Sequence, residues 1–385
     1  MFKFIRRHAL ILFFLSAAAV PLCAQQTPPA GQQPTDTQTP EAGGPGGDTG
    51  AIALPKKSTE EKAPPPAAPK VVNPPEMGNY SIRVDVPLVN VDVGVVLQKN
   101  RQFVGNLTDD NFRVFEDGVE QKISGFQQVK QPITAVLLLE FASNMYTGAF
   151  INDMRAAAYT FAQQLRPQDY VAVITYDLHT HILTDFTSDK NRVNDALSTL
   201  TVPMFSDRNM FDALYETLDR LSLVGGHKYI ILVGSGRDTF SKLNLDKILK
   251  KIRDTPNVTI FTISTGQMLR NVMSASGGMY GSDLDYAQAD NEMRTFAKLT
   301  GGQWYNPTFQ GALPEIFHDI NDSIRSAYVL SYHPTNPKMD GSYRKLKVEV
   351  VDKDGKPLRV EDGKHKPLKY DIVAREGYKA KESVQ

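Results

Sequence analysis

Ser235 stands between Gly234 and Gly236, directly after the apolar run KYIILV. A serine on a tight turn at a strand end is where hydrolases hold a nucleophile, and His179, His181 or His227 would be the base that it needs. The full G-x-S-x-G elbow is missing, so a secreted serine hydrolase is the lesser reading. His179 and His181 are two residues apart and share one face of an extended segment, a spacing that suits zinc, yet no third ligand is evident and a polar strand end explains them as well. Asp283, Asp285 and Asp290 fall in the Gly-rich stretch SASGGMYGSDLDYAQAD, which suits calcium or, more simply, a mobile acidic loop. Met273, Met279, Tyr280 and Tyr286 nearby have the composition of an adaptable contact surface, or else tuck into a core.

Bulk composition narrows the function classes. The 385 residues carry 43 Lys and Arg against 43 Asp and Glu, so no global field draws the chain to nucleic acid. The opening MFKFIRRHALILFFLSAAAVPLCA places Lys3, Arg6 and Arg7 before an apolar run from Ala9 to Val20 and small residues ending at Ala24, which predicts a secretory signal at 1–24. That run is shorter than the roughly 20 apolar residues of a bilayer span, so no membrane span is expected after cleavage. The single cysteine, Cys23, would leave with the signal; no disulfide, thiol nucleophile or cysteine metal site is then expected. The expected location is periplasmic or secreted.

The elements that must position these residues follow from hydrophobic periodicity. Residues 25–78 are rich in Pro, Gly, Gln, Thr and Ala and read as a disordered tether. Between 79 and 130 the pattern has period two: Ile82, Val84, Val86 and Leu88, then Val89, Val91, Val93 and Val95 on the other phase, then Phe112, Val114 and Val119 around a turn at Glu116-Asp117-Gly118. From 131 to 326 apolar runs alternate with helical spacing. TAVLLLEF, YVAVITY, KYIILVGS, VTIFTIST and the short QWYN read as strands; helices are expected near Met154 to Leu165, Val193 to Leu200, Phe211 to Leu223, Leu243 to Arg253, Asp290 to Leu299 and Pro314 to Ser326. The expected fold class is α/β: a doubly wound, Rossmann-like, mostly parallel sheet. After it, 327–380 returns to strands in AYVLSYHP, YRKLKVEVVD, KPLRV and LKYDIVAREGYK. These flank the α/β unit as 79–130 does, and either combine with it into one β-sandwich or form a separate unit.

An ordered set of segments resembles a von Willebrand factor type A domain of the secreted acidobacterial kind. The set runs NLTDDNFRVFEDGVEQKISGF, TAVLLLEFASNM, LRPQDYVAVITYD, FDALYETLDRL, KYIILVGSGRDT, LTGGQW, SAYVLSYHP, DGSYRKLKVEV and AREGY. The resemblance implies a metal-ion-dependent adhesion site: a D-x-S-x-S turn, a distant threonine and a distant aspartate that hold Mg²⁺ with oxygen ligands. In this chain the first turn corresponds to Glu140, Ala142 and Asn144, with Ser143 on the other phase. The threonine position is Arg208, and the distant aspartate falls in Gly234-Ser235-Gly236. A methyl group offers no oxygen and a guanidinium cannot ligate a cation, so the resemblance implies a degenerate site with no metal and no cofactor. Arg208 either fills the vacated cation position and pairs with Glu140 or is a solvated loop residue.

The expected function is therefore binding, not catalysis. A protein partner of unknown identity is expected at the C-terminal edge of the sheet, where such folds gather ligands, on Glu140, Ser143, Asn144, Arg208 and Ser235. An envelope scaffold that uses its β flanks is the alternative.

Overall fold

The computed structural model describes residues 87–128, 131–142, 148–201, 206–276 and 283–382. The expected signal and tether, the first strand residues Ile82, Val84 and Val86, and Ser143, Asn144, Met279 and Tyr280 lie outside them. Four strands come first: β1 (Val89–Leu97), β2 (Phe112–Glu116), β3 (Val119–Gln121) and β4 (Ile123–Gln128). The middle of the chain alternates β5 (Ile133–Glu140), α1 (Gly148–Gln164), β6 (Tyr170–Tyr176), β7 (Thr180–Thr187), α2 (Lys190–Ser198), α3 (Met210–Ser222), β8 (His227–Gly234), α4 (Leu245–Asp254), β9 (Val258–Ser264), α5 (Gly266–Ser276), α6 (Asp283–Thr300), β10 (Trp304–Tyr305) and α7 (Leu313–Ser326). Last come β11 (Tyr328–Tyr332), β12 (Tyr343–Val350), β13 (Val360–Glu361), β14 (Pro367–Leu368), β15 (Tyr370–Ala374) and β16 (Gly377–Lys379).

The central sheet has the order β10-β9-β8-β5-β6-β7, parallel except for β7, which runs antiparallel at the edge. Numbered within the α/β unit this is 3-2-1-4-5-6, the doubly wound order. β5 lies in the middle, and all eight of its residues are buried because helices cover both faces. Ile133, Ala135, Leu137 and Leu139 meet residues of α1, α2, α5 and α7; Val136 and Leu138 meet α3, α4 and α6. Successive side chains of a strand point to opposite faces, so a strand covered on both must be apolar at every position. That is why TAVLLL carries no polar alternation.

Strands from both ends of the chain share two further sheets, β15-β1-β11-β4 and β16-β12-β2-β3, each antiparallel. Val91, Val93 and Val95 of β1 pack with Phe112 and Val114 of β2, Tyr328 and Leu330 of β11, and Leu346 and Val348 of β12 in one core. At its margin Glu116 and Arg344 form a buried ion pair at 2.9 Å, and the hydroxyls of Tyr332 and Tyr378 donate to the same carboxylate at 2.7 and 2.8 Å. Burial first, then that hydrogen bond, pushes the Tyr378 phenol up to about 12.

One strand was not expected in full, and two expectations need correction. The segment after Tyr176 is a full strand, β7, whose pattern is mostly polar because an edge strand is only partly covered. The acidic stretch is not a loop where it is described, since the backbone of Asp283, Asp285 and Asp290 belongs to α6; of the two readings open for Tyr286 the structure takes the core, with 4% exposure. KPLRV forms only an isolated bridge at Pro357 and the start of β13.

Candidate functional site

Glu140 ends β5, and its neighbour across the parallel pairing is the end of β8, where Gly234 is followed by Ser235. A β-carbon on Gly234 would lie 2.5 Å from the Tyr176 hydroxyl and 2.7 Å from Glu140 Oε2. Only glycine lets the Glu140 carboxylate fold across the end of β8. There it accepts from the Ser235 backbone N–H at 2.7 Å and from the Ser235 hydroxyl, which lies 2.8 Å from Oε2 and 3.1 Å from Oε1.

Arg208 completes the cluster. Its Nε donates to Glu140 Oε1 at 2.8 Å, and the two side chains are 7% and 0% exposed. Of the two readings open for Arg208, the structure takes the ion pair. The backbone holds the guanidinium in place. Arg208 N–H donates to Thr239 Oγ1 at 3.0 Å, and its carbonyl accepts from the N–H groups of Thr239 and Phe240 at 3.0 and 2.8 Å. Next to it, Asn209 N–H donates to Asp177 O at 2.8 Å and Asn209 Nδ2 to Leu178 O at 3.1 Å. The loops after β6, before α3 and after β8 are thus tied together around one cation.

Two carboxylates that sequence reasoning did not single out fix this junction. Asn209 precedes α3 without a side-chain cap, and Asp238 from the neighbouring loop accepts the Phe211 N–H instead, at 2.8 Å, while also taking the Ser241 hydroxyl. Asp212 in the first turn of α3 accepts from Lys242 N and Leu243 N, both at 3.0 Å. A helix N-terminus leaves unbonded N–H groups and a positive end, so a carboxylate brought in from another loop satisfies both. The only hint in the sequence is an aspartate three residues after Ser235.

Glu140, Ala142, Arg208 and Ser235 do not fit a divalent cation. Ala142 is fully buried and contributes no side-chain oxygen. The Glu140 oxygens already accept from Ser235 and Arg208, and a metal here would stand against the guanidinium. The histidines are elsewhere. His227 begins β8, at the other end of that strand from Ser235, and contacts Asp92 at 3.2 Å; His181 contacts Asp177 at 3.0 Å. Ser235 itself is 1% exposed and its hydroxyl faces a carboxylate.

Around this sealed cluster the rim is aromatic and basic. Phe240 is 58% exposed, two residues from Asp238. The guanidinium groups of Arg237 and Arg270 lie 5.3 and 4.9 Å from the centroid of the Tyr286 ring. Gly266, which opens α5, gives Tyr286 room, since a β-carbon there would meet its ring at 2.8 Å.

Neither a protein-family model nor a curated protein matches the chain. Solved structures of von Willebrand factor type A domains do. The von Willebrand factor domain of the type V pili tip protein Mfa5 from Porphyromonas gingivalis is 14% identical, covers 50% of this chain and 95% of its own, and superposes with a TM-score of 0.39. A von Willebrand factor type A protein from Catenulispora acidiphila is 11% identical over 71% of this chain and 74% of its own, with a TM-score of 0.42. The ArnB paralog VWA2 from Sulfolobus acidocaldarius is 15% identical over 74% and 75%, with a TM-score of 0.39. The likeness is one of fold, and the fold assignment rests on the strand order and the layers described above.

Proposed function

We propose that this chain is an exported binding module that holds a protein partner at the C-terminal edge of its α/β sheet without a divalent cation. The observation that carries this reading is the Glu140–Arg208–Ser235 cluster. It places a protein cation and carboxylate where the resemblance implies a metal and its ligands, and closes them from solvent. Phe240 and Arg237 supply what a contact surface needs beside it: an exposed aromatic anchor and a cation that an acidic partner would meet. A non-enzymatic role accords with the buried Ser235 hydroxyl and with the placement of His181 and His227 beside other carboxylates. Export accords with the opening 24 residues.

The test is chemical crosslinking and affinity capture from an envelope extract, run in EDTA and in Mg²⁺. The expected result is a partner retained equally under both conditions and lost with Phe240→Glu. Retention only in Mg²⁺ would overturn the metal-free reading. A partner indifferent to Phe240→Glu would move the contact to the β-sandwich, and the scaffold reading would take its place.

A further inference from the structure

A cleft lies between the β-sandwich and the N-terminal edge of the central sheet, far along the strands from the Glu140 cluster. It has two chambers. The inner one, about 210 Å³, is polar and lined by Asn90, His227, Asn257 and Thr259. The outer one, about 460 Å³, is walled by Leu88, Pro256, Pro334 and Met339. Asn90, Asn257 and Arg375 line both, so the chambers join at Arg375.

Arg375 sits where the chain crosses from β15 in one sheet of the sandwich to β16 in the other. Its Nε donates to Gly377 O at 2.8 Å, and its two Nη groups have no hydrogen-bond partner among the described residues. Burial pulls its pKa down by more than the opposing pulls of Tyr343 and Asp92 restore, so the cation lacks full compensation. The charges around the mouth do not supply it. Arg253, Lys338 and Lys381 line the outer chamber, whereas the two acidic residues there are engaged, Asp254 by Lys250 at 2.5 Å and Glu382 by Lys379 at 2.8 Å. Within the inner chamber Asp92 acts on Arg375 only through space, and it contacts His227 at 3.2 Å. A half-buried guanidinium with both Nη groups unused, at the junction of a polar chamber and an apolar one, has the donor geometry for an oxyanion. The combined volume suits an organic molecule, not a bare ion.

We propose that this cleft binds an amphiphilic organic anion, with its carboxylate or phosphate head on Arg375 and Asn257 and its apolar body against Leu88, Pro256, Pro334 and Met339. Calorimetric titration of the full chain with octanoate, octyl phosphate and inorganic phosphate tests it. Saturable binding of an octyl anion is expected, and the stronger of the two identifies the head group. Arg375→Gln should weaken it at least tenfold. Met339→Trp, which fills the outer chamber and leaves the cation in place, should do the same, and it carries the test if Arg375→Gln does not fold. Inorganic phosphate binding as tightly as either octyl anion, no saturable heat from any probe, or binding unaffected by Met339→Trp would overturn the proposal.

Discussion

At the scale of single residues, the C-terminal edge of the sheet is governed by one buried ion pair. Taking two charges out of water is costly, and the Glu140–Arg208 contact offsets this only because Ser235 N–H and Oγ–H satisfy the carboxylate as well. Removing Arg208 leaves the Glu140 carboxylate buried without its cation, and removing the Glu140 charge takes from Arg208 the carboxylate buried against it. Arg208→Met and Glu140→Gln should therefore each destabilise the protein by about 3–5 kcal/mol, and the double variant by clearly less than their sum. Urea unfolding of the four proteins measures this, and additive losses would show that the pair is not energetically coupled. The sequence made Arg208 notable only through the resemblance, as a cation where a metal ligand was expected. Its partner was legible as one of two options. The buried carboxylate Glu116 was not legible at all: it stood in an apparent turn, and only the approach of Arg344, more than two hundred residues away, makes it a core residue.

At the scale of elements, close approach decides which glycines are indispensable. α6 ends in a left-handed Gly301 at φ +77°, and the Gly302 N–H reaches back to the Ala297 carbonyl at 2.9 Å, which closes the helix. A β-carbon on Gly302 would fall 2.0 Å from the Ile260 carbonyl oxygen, a backbone atom of β9 that cannot turn aside. Gly302→Ala should cost about 3 kcal/mol or more and shift the thermal midpoint down accordingly, whereas Gly148→Ala, which meets nothing within 4 Å, should be nearly neutral or stabilising. Equal midpoints for the two variants would show that the contact does not constrain the chain. The strands buried on both faces were legible because their composition admits no other place. β7 was not, since its partial exposure leaves a polar sequence, and the length of α6 was hidden by the glycines that precede it.

At the scale of the whole molecule, the sandwich meets the N-terminal edge of the central sheet and leaves the C-terminal edge to the loops around Arg208. His227 at the start of β8 and Asp92 in β1 join the two at 3.2 Å. The hydrogen bond to Asp92 raises the His227 pKa above its ordinary value, against a smaller opposing effect of burial. The sign follows from linkage: the folded state holds the proton more tightly, so this contribution is fully present below about pH 6.5 and is lost as pH rises through the folded pKa. Thermal melts from about pH 5.5 to 8.5 should show the wild type losing stability across that window relative to His227→Gln. Parallel curves for the two would mean that the contact does not couple the sandwich to the sheet. What the sequence determined by itself was the local grammar: which runs are buried on two faces, which on one, and, apart from β7 and α5, where helices and strands alternate, because side-chain periodicity responds to burial wherever it occurs. Which strands pair, which charges meet and where a cation is left without a hydrogen-bonded carboxylate were decided only in three dimensions. Those contacts join residues separated by most of the chain, and no spacing within either partner records the other.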